Sequence, residues 1–353
     1  MSTLELAADL HLPTEAVTQT LAILAKRGSG KTYTASVLVE ELLGASAQVV
    51  IIDPLDVWWG LRVAADGEGP GLPIVVLGGS RGDLPLEAAA GVIIADMVVE
   101  EGISCILSLR HLSKTQQRRV VADFAERLYH RKGEPEHRGP LHVVIDEADA
   151  FVPQRVAADT ARVMGAVDDL VRRGRASGLG VTLITQRPAV LHKDVLTQIE
   201  VLVALRTVSP QDRAAIKAWI EGNDDENQGP TVLASLASLD IGEAWIWSPG
   251  WLAFSAVSVS GDGTRSTAAP RRQSARRRWL REHSLRLTWQ RCGFVSTRQP
   301  IHLKTILPPF AGASLSLSFG LQRWRSWKSP SSAMTLLPDW SAWRPSSPTS
   351  GPR

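Results

Sequence analysis

The apolar run Leu21-Ala-Ile-Leu24 leads directly into Ala25-Lys-Arg-Gly-Ser-Gly-Lys31-Thr32, and a helical pattern follows at once. A buried strand, a glycine loop and a helix in that order leave few folds open. Glycines at 28 and 30 let backbone N–H groups turn inward and ring an anion at a helix N-terminus. In this phosphate-loop spelling Arg27, Gly28, Ser29, Gly30, Lys31 and Thr32 are the expected nucleotide-binding residues. Lys31 would reach the β- and γ-phosphates, and the Thr32 hydroxyl would hold Mg²⁺. Position 25 carries Ala where the strict motif has Gly, a departure of one methyl group.

From residue 20 to 256 the chain alternates short apolar runs with helical patterns, the signature of an α/β fold whose mostly parallel sheet is flanked by helices. Strands are expected at Thr20–Leu24, Gln48–Asp53, Pro73–Leu77, Ile103–Leu107, Leu141–Asp146, Val181–Thr185 and Ile199–Leu205. They are almost continuously apolar, as strands buried on both faces are. Helices are expected over Thr32–Leu43, stopped by Gly44, over Lys114–Arg131, and over Ala158–Arg175 before Gly178. Ser113-Lys-Thr-Gln116 is a capping-box spelling ahead of the second of these. Glu243–Ser248 and Trp251–Val257 read as a late hairpin around Pro249-Gly250.

Charge divides the chain. Residues 1–256 hold 23 Lys+Arg against 33 Asp+Glu, whereas residues 257–353 hold 16 against 3. The second part also carries six of the twelve tryptophans with much Ser, Pro and Arg, and no periodicity. It reads as an irregular, disordered extension, as an out-of-frame translation, or as a nucleic-acid tail of arginines and stacking tryptophans. The domains expected are thus an N-terminal extension over 1–19, a phosphate-loop ATPase domain over 20–256 and the basic tail over 257–353. Two cysteines, Cys105 and Cys292, make neither a disulfide framework nor a zinc pattern, which suits a reducing, cytoplasmic setting. Cys105 is expected to be a buried packing residue, and His130 and His137 to sit in solvent. No window approaches about 18 uncharged apolar residues, so no membrane span is expected.

A phosphate loop needs a carboxylate for Mg²⁺ and, for hydrolysis, a group that orients the attacking water. Leu141-His-Val-Val-Ile-Asp146-Glu147 delivers such a pair to the carboxyl edge of the sheet, where α/β folds bind ligands. Asp146 is assigned to the metal and Glu147 to the water. Val181-Thr-Leu-Ile-Thr185-Gln186-Arg187-Pro188 is a buried strand ending on polar side chains, and Gln186 is the candidate γ-phosphate sensor. Leu170-Val-Arg172-Arg173-Gly-Arg175 is a basic cluster at a helix end. Its cations could complement the helix dipole and pair Asp168 with Arg172 and Asp169 with Arg173, or could supply an arginine finger to a neighbouring subunit. Spacing does not choose between these.

Ala25–Thr32, Val144-Ile-Asp-Glu-Ala148 and the run from Arg172 to Pro188, in this order, resemble the HerA/FtsK superfamily of hexameric DNA-pumping ATPases, and most of all HerA-type bacterial and prophage ATP-binding proteins. The resemblance covers residues 15–256. It implies a RecA-like core, a homo-oligomeric ring with ATP between subunits, and double-stranded DNA in a central pore. It also implies Arg175 as the trans finger, with Arg173 next, and Gln186 as the sensor. The family's nuclease partner docks on an N-terminal β-barrel, for which residues 1–19 are too short. Alternatives are an ATPase that moves or remodels protein, as in related secretion and conjugation systems, and a nucleotide-binding remnant without turnover.

Overall fold

The structure is a computed structural model that describes residues 3–7, 10–64, 71–223, 229–248 and 252–258. Of the basic tail expected over 257–353, all but Val257 and Ser258 lies outside these residues, as does the Pro249-Gly250 turn.

The elements run β1 (Thr3–Ala7), β2 (Leu10–Pro13), β3 (Thr20–Leu24), α1 (Lys31–Gly44), β4 (Gln48–Asp53), β5 (Val75–Gly78), α2 (Gly91–Glu101), β6 (Cys105–Ser108), α3 (Lys114–Gly133), β7 (Leu141–Ile145), α4 (Ala161–Arg173), β8 (Leu179–Thr185), α5 (Lys193–Leu196), β9 (Val201–Leu205), α6 (Pro210–Glu221), α7 (Gly229–Ser235), β10 (Glu243–Ser248) and β11 (Leu252–Ser258). Among the described residues nine strands form one sheet in the order β11-β10-β9-β3-β8-β7-β4-β6-β5. Seven of them, from β9 to β5, are parallel, and β10 and β11 extend that edge antiparallel.

Every residue of β3, β7, β8 and β9 is buried, as a sheet covered on both faces requires. The alternation of side chains sorts them into two cores. Val50 and Ile52 of β4 pack with α2, α3 and α4 through Ile94, Val98, Phe124, Leu128 and Val167. Val49 and Ile51 face the other way, towards Leu38 and Leu42 of α1, Trp58, and Leu4 and Leu12 of the N-terminal hairpin. Each large side chain so buried contributes roughly 1.5–3 kcal/mol relative to leaving it in water.

Most expected elements are present, with the shifts that end fraying and buried geometry produce. The capping box at Ser113 and Gln116 is made in both directions. Gly44 does not stop α1: it is the helix's last residue, and the left-handed turn falls on Ser46 at φ 62°. The fourth helix ends at Arg173 and passes into a 3-10 turn, Gly174–Ser177, before Gly178 turns the chain at φ 74°. The residues ahead of Thr20 are not featureless, for β1 and β2 pair antiparallel as a separate hairpin whose Leu4, Leu6, Leu10 and Leu12 are buried. Helix α2 carries too few polar residues to show a periodic pattern, and its mostly apolar sequence hid it. His137 is half-buried between Arg131 and Glu134 rather than free in solvent. Cys105 is fully buried, and burial pushes its thiol up to about 12, as a packing residue's should be. Among the described residues no helix is long and apolar enough to cross a membrane.

Candidate active site

The loop between β3 and α1 hangs from the carboxyl ends of its two neighbours. The Ala25 N–H donates to the Thr185 carbonyl at 3.3 Å and the Lys26 N–H to the Arg206 carbonyl at 2.9 Å. Ala25 is completely buried, so the extra methyl at this position is accommodated by packing. Gly28 and Gly30 hold φ of 82° and 99°, the left-handed region that a side chain disfavours. A Cβ on Gly30 would also meet the Gly242 nitrogen at 3.2 Å. The Gly242 N–H in turn donates to the Ser29 carbonyl at 3.1 Å, so the turn before β10 buttresses the phosphate loop. Arg27 and Thr32 are exposed at its mouth, whereas Ser29 is buried and donates its hydroxyl to the Lys26 carbonyl at 2.6 Å.

Strand order brings the rest together. Strand β8 lies between β3 and β7, so Gln186, just past its end, stands between the phosphate loop and the Asp146-Glu147 pair. The buried Lys31 ammonium donates to Asp146 Oδ1 at 3.2 Å and to Glu147 Oε1 at 3.1 Å. Gln186 Nε2 donates to the same Glu147 Oε1. Glu147 adopts φ 48°, ψ 49°, a left-handed conformation that costs a non-glycine residue on the order of 1–3 kcal/mol and persists where surroundings over-determine it. Beside it, Thr185 Oγ1 donates to Asp149 Oδ1 at 2.7 Å and accepts the Arg187 N–H at 3.0 Å, which fixes the chain carrying Gln186.

Two residues outside the expected set enter the site. Trp58 Nε1 donates to Asp146 Oδ2 at 3.1 Å, with both side chains buried. Asp53, the last residue of β4, collects the backbone N–H groups of Leu55, Val57 and Trp58 at 3.0, 2.8 and 2.9 Å. Burial pushes the Asp53 carboxyl up to about 6 against those hydrogen bonds, and the nearby Asp146 charge adds to the rise. The signal available in the sequence was a second carboxylate at the end of an apolar strand, followed by Trp58-Trp59.

The basic cluster is elsewhere. Arg173 pairs with Asp169 at 3.0 Å and Arg172 with Asp168 at 2.7 Å, the expected helix pairs. Arg175 donates to Glu200 Oε1 at 2.8 Å. Arg175 and Glu200 precede β8 and β9 and therefore lie at the amino edge of the sheet. The seven residues of β8, at about 3.3 Å each, put that edge roughly 20 Å from Gln186. Within one chain neither Arg173 nor Arg175 meets Lys31.

The donor set suits a hard cation. Mg²⁺ takes oxygen ligands, with one or two carboxylates supplemented by substrate phosphates and waters. The buried Asp146 carboxylate and the exposed Thr32 hydroxyl are both oxygen donors, and the acidic pair already holds a cation, the Lys31 ammonium.

Residues 4–56 match the family model described as the central domain of helicase HerA, and residues 120–249 the helicase HerA-like C-terminal model. The DNA double-strand break repair helicase HerA of Pyrococcus furiosus is 34% identical over 108 residues, which make up 30% of this chain and 18% of that relative. The chain thus spans about a fifth of the curated relative's length. Among solved structures, the bacterial conjugative coupling protein TrwBdeltaN70 superposes with a TM-score of 0.52 at 12% identity, over 76% of this chain and 92% of that one. VirB4 of Thermoanaerobacter pseudethanolicus gives 0.51 at 13% identity, over 74% and 96%. These two likenesses concern the fold alone. The two HerA models follow one another along a single sheet and together take in more than half of the chain, which belongs to the HerA-like P-loop ATPases.

Proposed function

We propose that the chain is an ATP-driven motor of HerA type, which binds and hydrolyses ATP and acts on double-stranded DNA as a ring with nucleotide between subunits. The observation that carries this reading is the contact of Lys31 with both Asp146 and Glu147 beneath the phosphate loop, with Gln186 on the same glutamate.

When ATP enters, its β- and γ-phosphates offer Lys31 a stronger anionic partner than the two carboxylates, and the ammonium moves onto them. That exchange removes the ammonium from Glu147 Oε1 and Asp146 Oδ1. Gln186 is left as the side-chain donor on Glu147, whose carboxylate can then accept a proton from the attacking water, and Asp146 Oδ1 is left with the Glu147 N–H and a lone pair for the metal side. Thr32 and Asp146 would hold Mg²⁺, which supplies charge neutralisation across the phosphates as the bond to the leaving oxygen breaks. Gln186 stays hydrogen-bonded to Glu147 and so connects the state of the γ-phosphate to the end of β8. Arg175, roughly 20 Å from its own loop, could meet a γ-phosphate only on a neighbouring subunit, which is why the reading includes a ring.

Steady-state ATP turnover of the full chain, with and without duplex DNA across a salt series, tests the proposal. Turnover that rises with DNA and loses that stimulation steeply with salt, through counterion release, is expected. Lys31→Ala should remove tight nucleotide binding. Turnover indifferent to DNA at low salt but stimulated by a protein partner would transfer the motor to protein substrates. ATP binding with no turnover under assembling conditions would reduce the chain to a nucleotide-binding remnant.

A further inference from the structure

The Asp146 carboxylate is held from two sides by donors of different kinds. Oδ1 accepts from the Lys31 ammonium at 3.2 Å and from the Glu147 N–H at 2.9 Å. Oδ2 accepts from the Trp58 indole at 3.1 Å. In the proposed cycle Lys31 leaves for the phosphates, whereas the indole has nowhere to go. Trp58 is 2% exposed and Asp146 1%.

The indole is fixed by a chain of hydrogen bonds that begins at the end of β4. The Asp53 carboxylate winds the loop Pro54–Val57 around itself by taking three backbone N–H groups, the last from Trp58. Asp56, in the left-handed conformation at φ 60°, ties the same loop to its neighbours by accepting from Ser108 Oγ at 2.7 Å and from the Ser80 N–H at 3.0 Å. The loop is therefore anchored to the carboxyl ends of β4 and β6 and to the turn after β5. An indole N–H is a neutral donor with no acceptor capacity, so it orients a carboxylate without neutralising it and without competing for a metal.

We infer that Trp58 is a positioning residue for the metal-side carboxylate: its Nε1–H pins Asp146 Oδ2 and so keeps Oδ1 turned towards the Lys31 end of the phosphate loop through the cycle. This rests on the reading of Asp146 as the Mg²⁺ carboxylate. Hydrogen-bond partners that orient ligating carboxylates typically cost about 10–100-fold in metal affinity or activity when removed.

The test uses the full chain, a fluorescent non-hydrolysable ATP analogue and Mg²⁺ titration, with binding in EDTA as the metal-free reference. Trp58→Phe keeps the aromatic body but removes the N–H, and Trp58→Met fills the pocket with a flexible chain lacking any donor. In both, the Mg²⁺ concentration at half-maximal analogue binding should rise about 10–100-fold, while affinity in EDTA stays within twofold of the parent. Trp58→His carries a ring N–H at the same position of its five-membered ring, and should recover most of the shift. Asp146→Asn serves as the control for the underlying assignment. If it shifts the Mg²⁺ midpoint but neither donor-free Trp58 variant does, the positioning role is wrong and the metal assignment stands. If Asp146→Asn leaves the midpoint unchanged, the assignment fails and the inference fails with it. Equal losses with and without metal would make Trp58 a packing residue only.

Discussion

Arg175→Ala separates a structural arginine from a catalytic one by magnitude. In the chain Arg175 pairs with Glu200 at 2.8 Å, with the two side chains 63% and 39% exposed. A pair so open to solvent contributes about 0.2–1 kcal/mol, so its loss should barely move an unfolding midpoint, and Glu200→Gln should have the same small effect. An arginine finger acting in trans contributes about 10³–10⁵ in rate, or roughly 4–7 kcal/mol of barrier. The two roles differ severalfold in energy and are read by different assays. Turnover should therefore collapse in the assembled Arg175→Ala protein, with nucleotide affinity retained and stability within about 1 kcal/mol of the parent. Glu200→Gln should leave turnover high. Mixing sharpens the comparison, because a Lys31→Ala subunit still offers its own Arg175 to a neighbour. An equal mixture of the two inactive variants should regain up to about a quarter of the parental rate, the chance that a random head-to-tail interface pairs both intact partners. No recovery on mixing, or an equal loss in dilute single chains, refutes the trans role. A stability loss well above 1 kcal/mol would refute the view of the Glu200 pair as a weak surface contact.

Glu147→Gln should bind ATP as the parent does while turnover falls by about 10²–10⁴, because the neutral amide cannot accept the proton of the attacking water; single-turnover hydrolysis beside an analogue-binding curve checks it. His142 is fully buried, with Nδ1 at 2.7 Å from the Val17 carbonyl and Nε2 at 2.6 Å from Thr182 Oγ1, and burial lowers it to about 4. The folded chain then takes up this proton later than the unfolded one, so nothing is lost above the unfolded value of about 6.5, and stability drains as pH falls through 6.5 towards 4. Denaturant midpoints at pH 7 and 4.5 should differ by about 2–3 kcal/mol more in the parent than in His142→Gln, and identical pH dependence in both would exclude the assignment. A Cβ on Gly180 would lie 2.1 Å from the Val17 carbonyl oxygen and 2.6 Å from His142 Nδ1. Gly180→Ala should thus cost about 1–3 kcal/mol and lower the thermal midpoint by several degrees, with no change in nucleotide affinity; an unchanged midpoint would show that this contact can relax freely.

Much of the candidate site was legible because its signals are local. The phosphate loop needs left-handed glycines at two places, and Gly28 and Gly30 stand there; an apolar strand must end on acidic residues, and Leu141–Ile145 ends on Asp146-Glu147. Trp58 was not legible, since nothing in the spacing of β4 and β7 says that an indole five residues beyond one strand will reach a carboxylate at the end of the other. The hairpin of β1 and β2 was missed because β1 and β2 are only five and four residues long, and a few alternating leucines do not distinguish a strand pair from a loop.

The amino-acid sequence by itself determined the fold class, the glycine loop between β3 and α1, the acidic pair, the polar end of β8 and the sharp change in charge after residue 256, because each depends on side-chain periodicity or on residues adjacent in the chain. The tertiary structure alone decided that β8 inserts between β3 and β7, that Gln186 and Lys31 therefore share one oxygen of Glu147, that Trp58 holds the far oxygen of Asp146, and that Arg175 sits at the opposite edge on Glu200. Strand order is a choice among long-range pairings between runs that are all apolar and nearly interchangeable in composition, so it is settled by how helices of particular lengths and faces pack over the sheet.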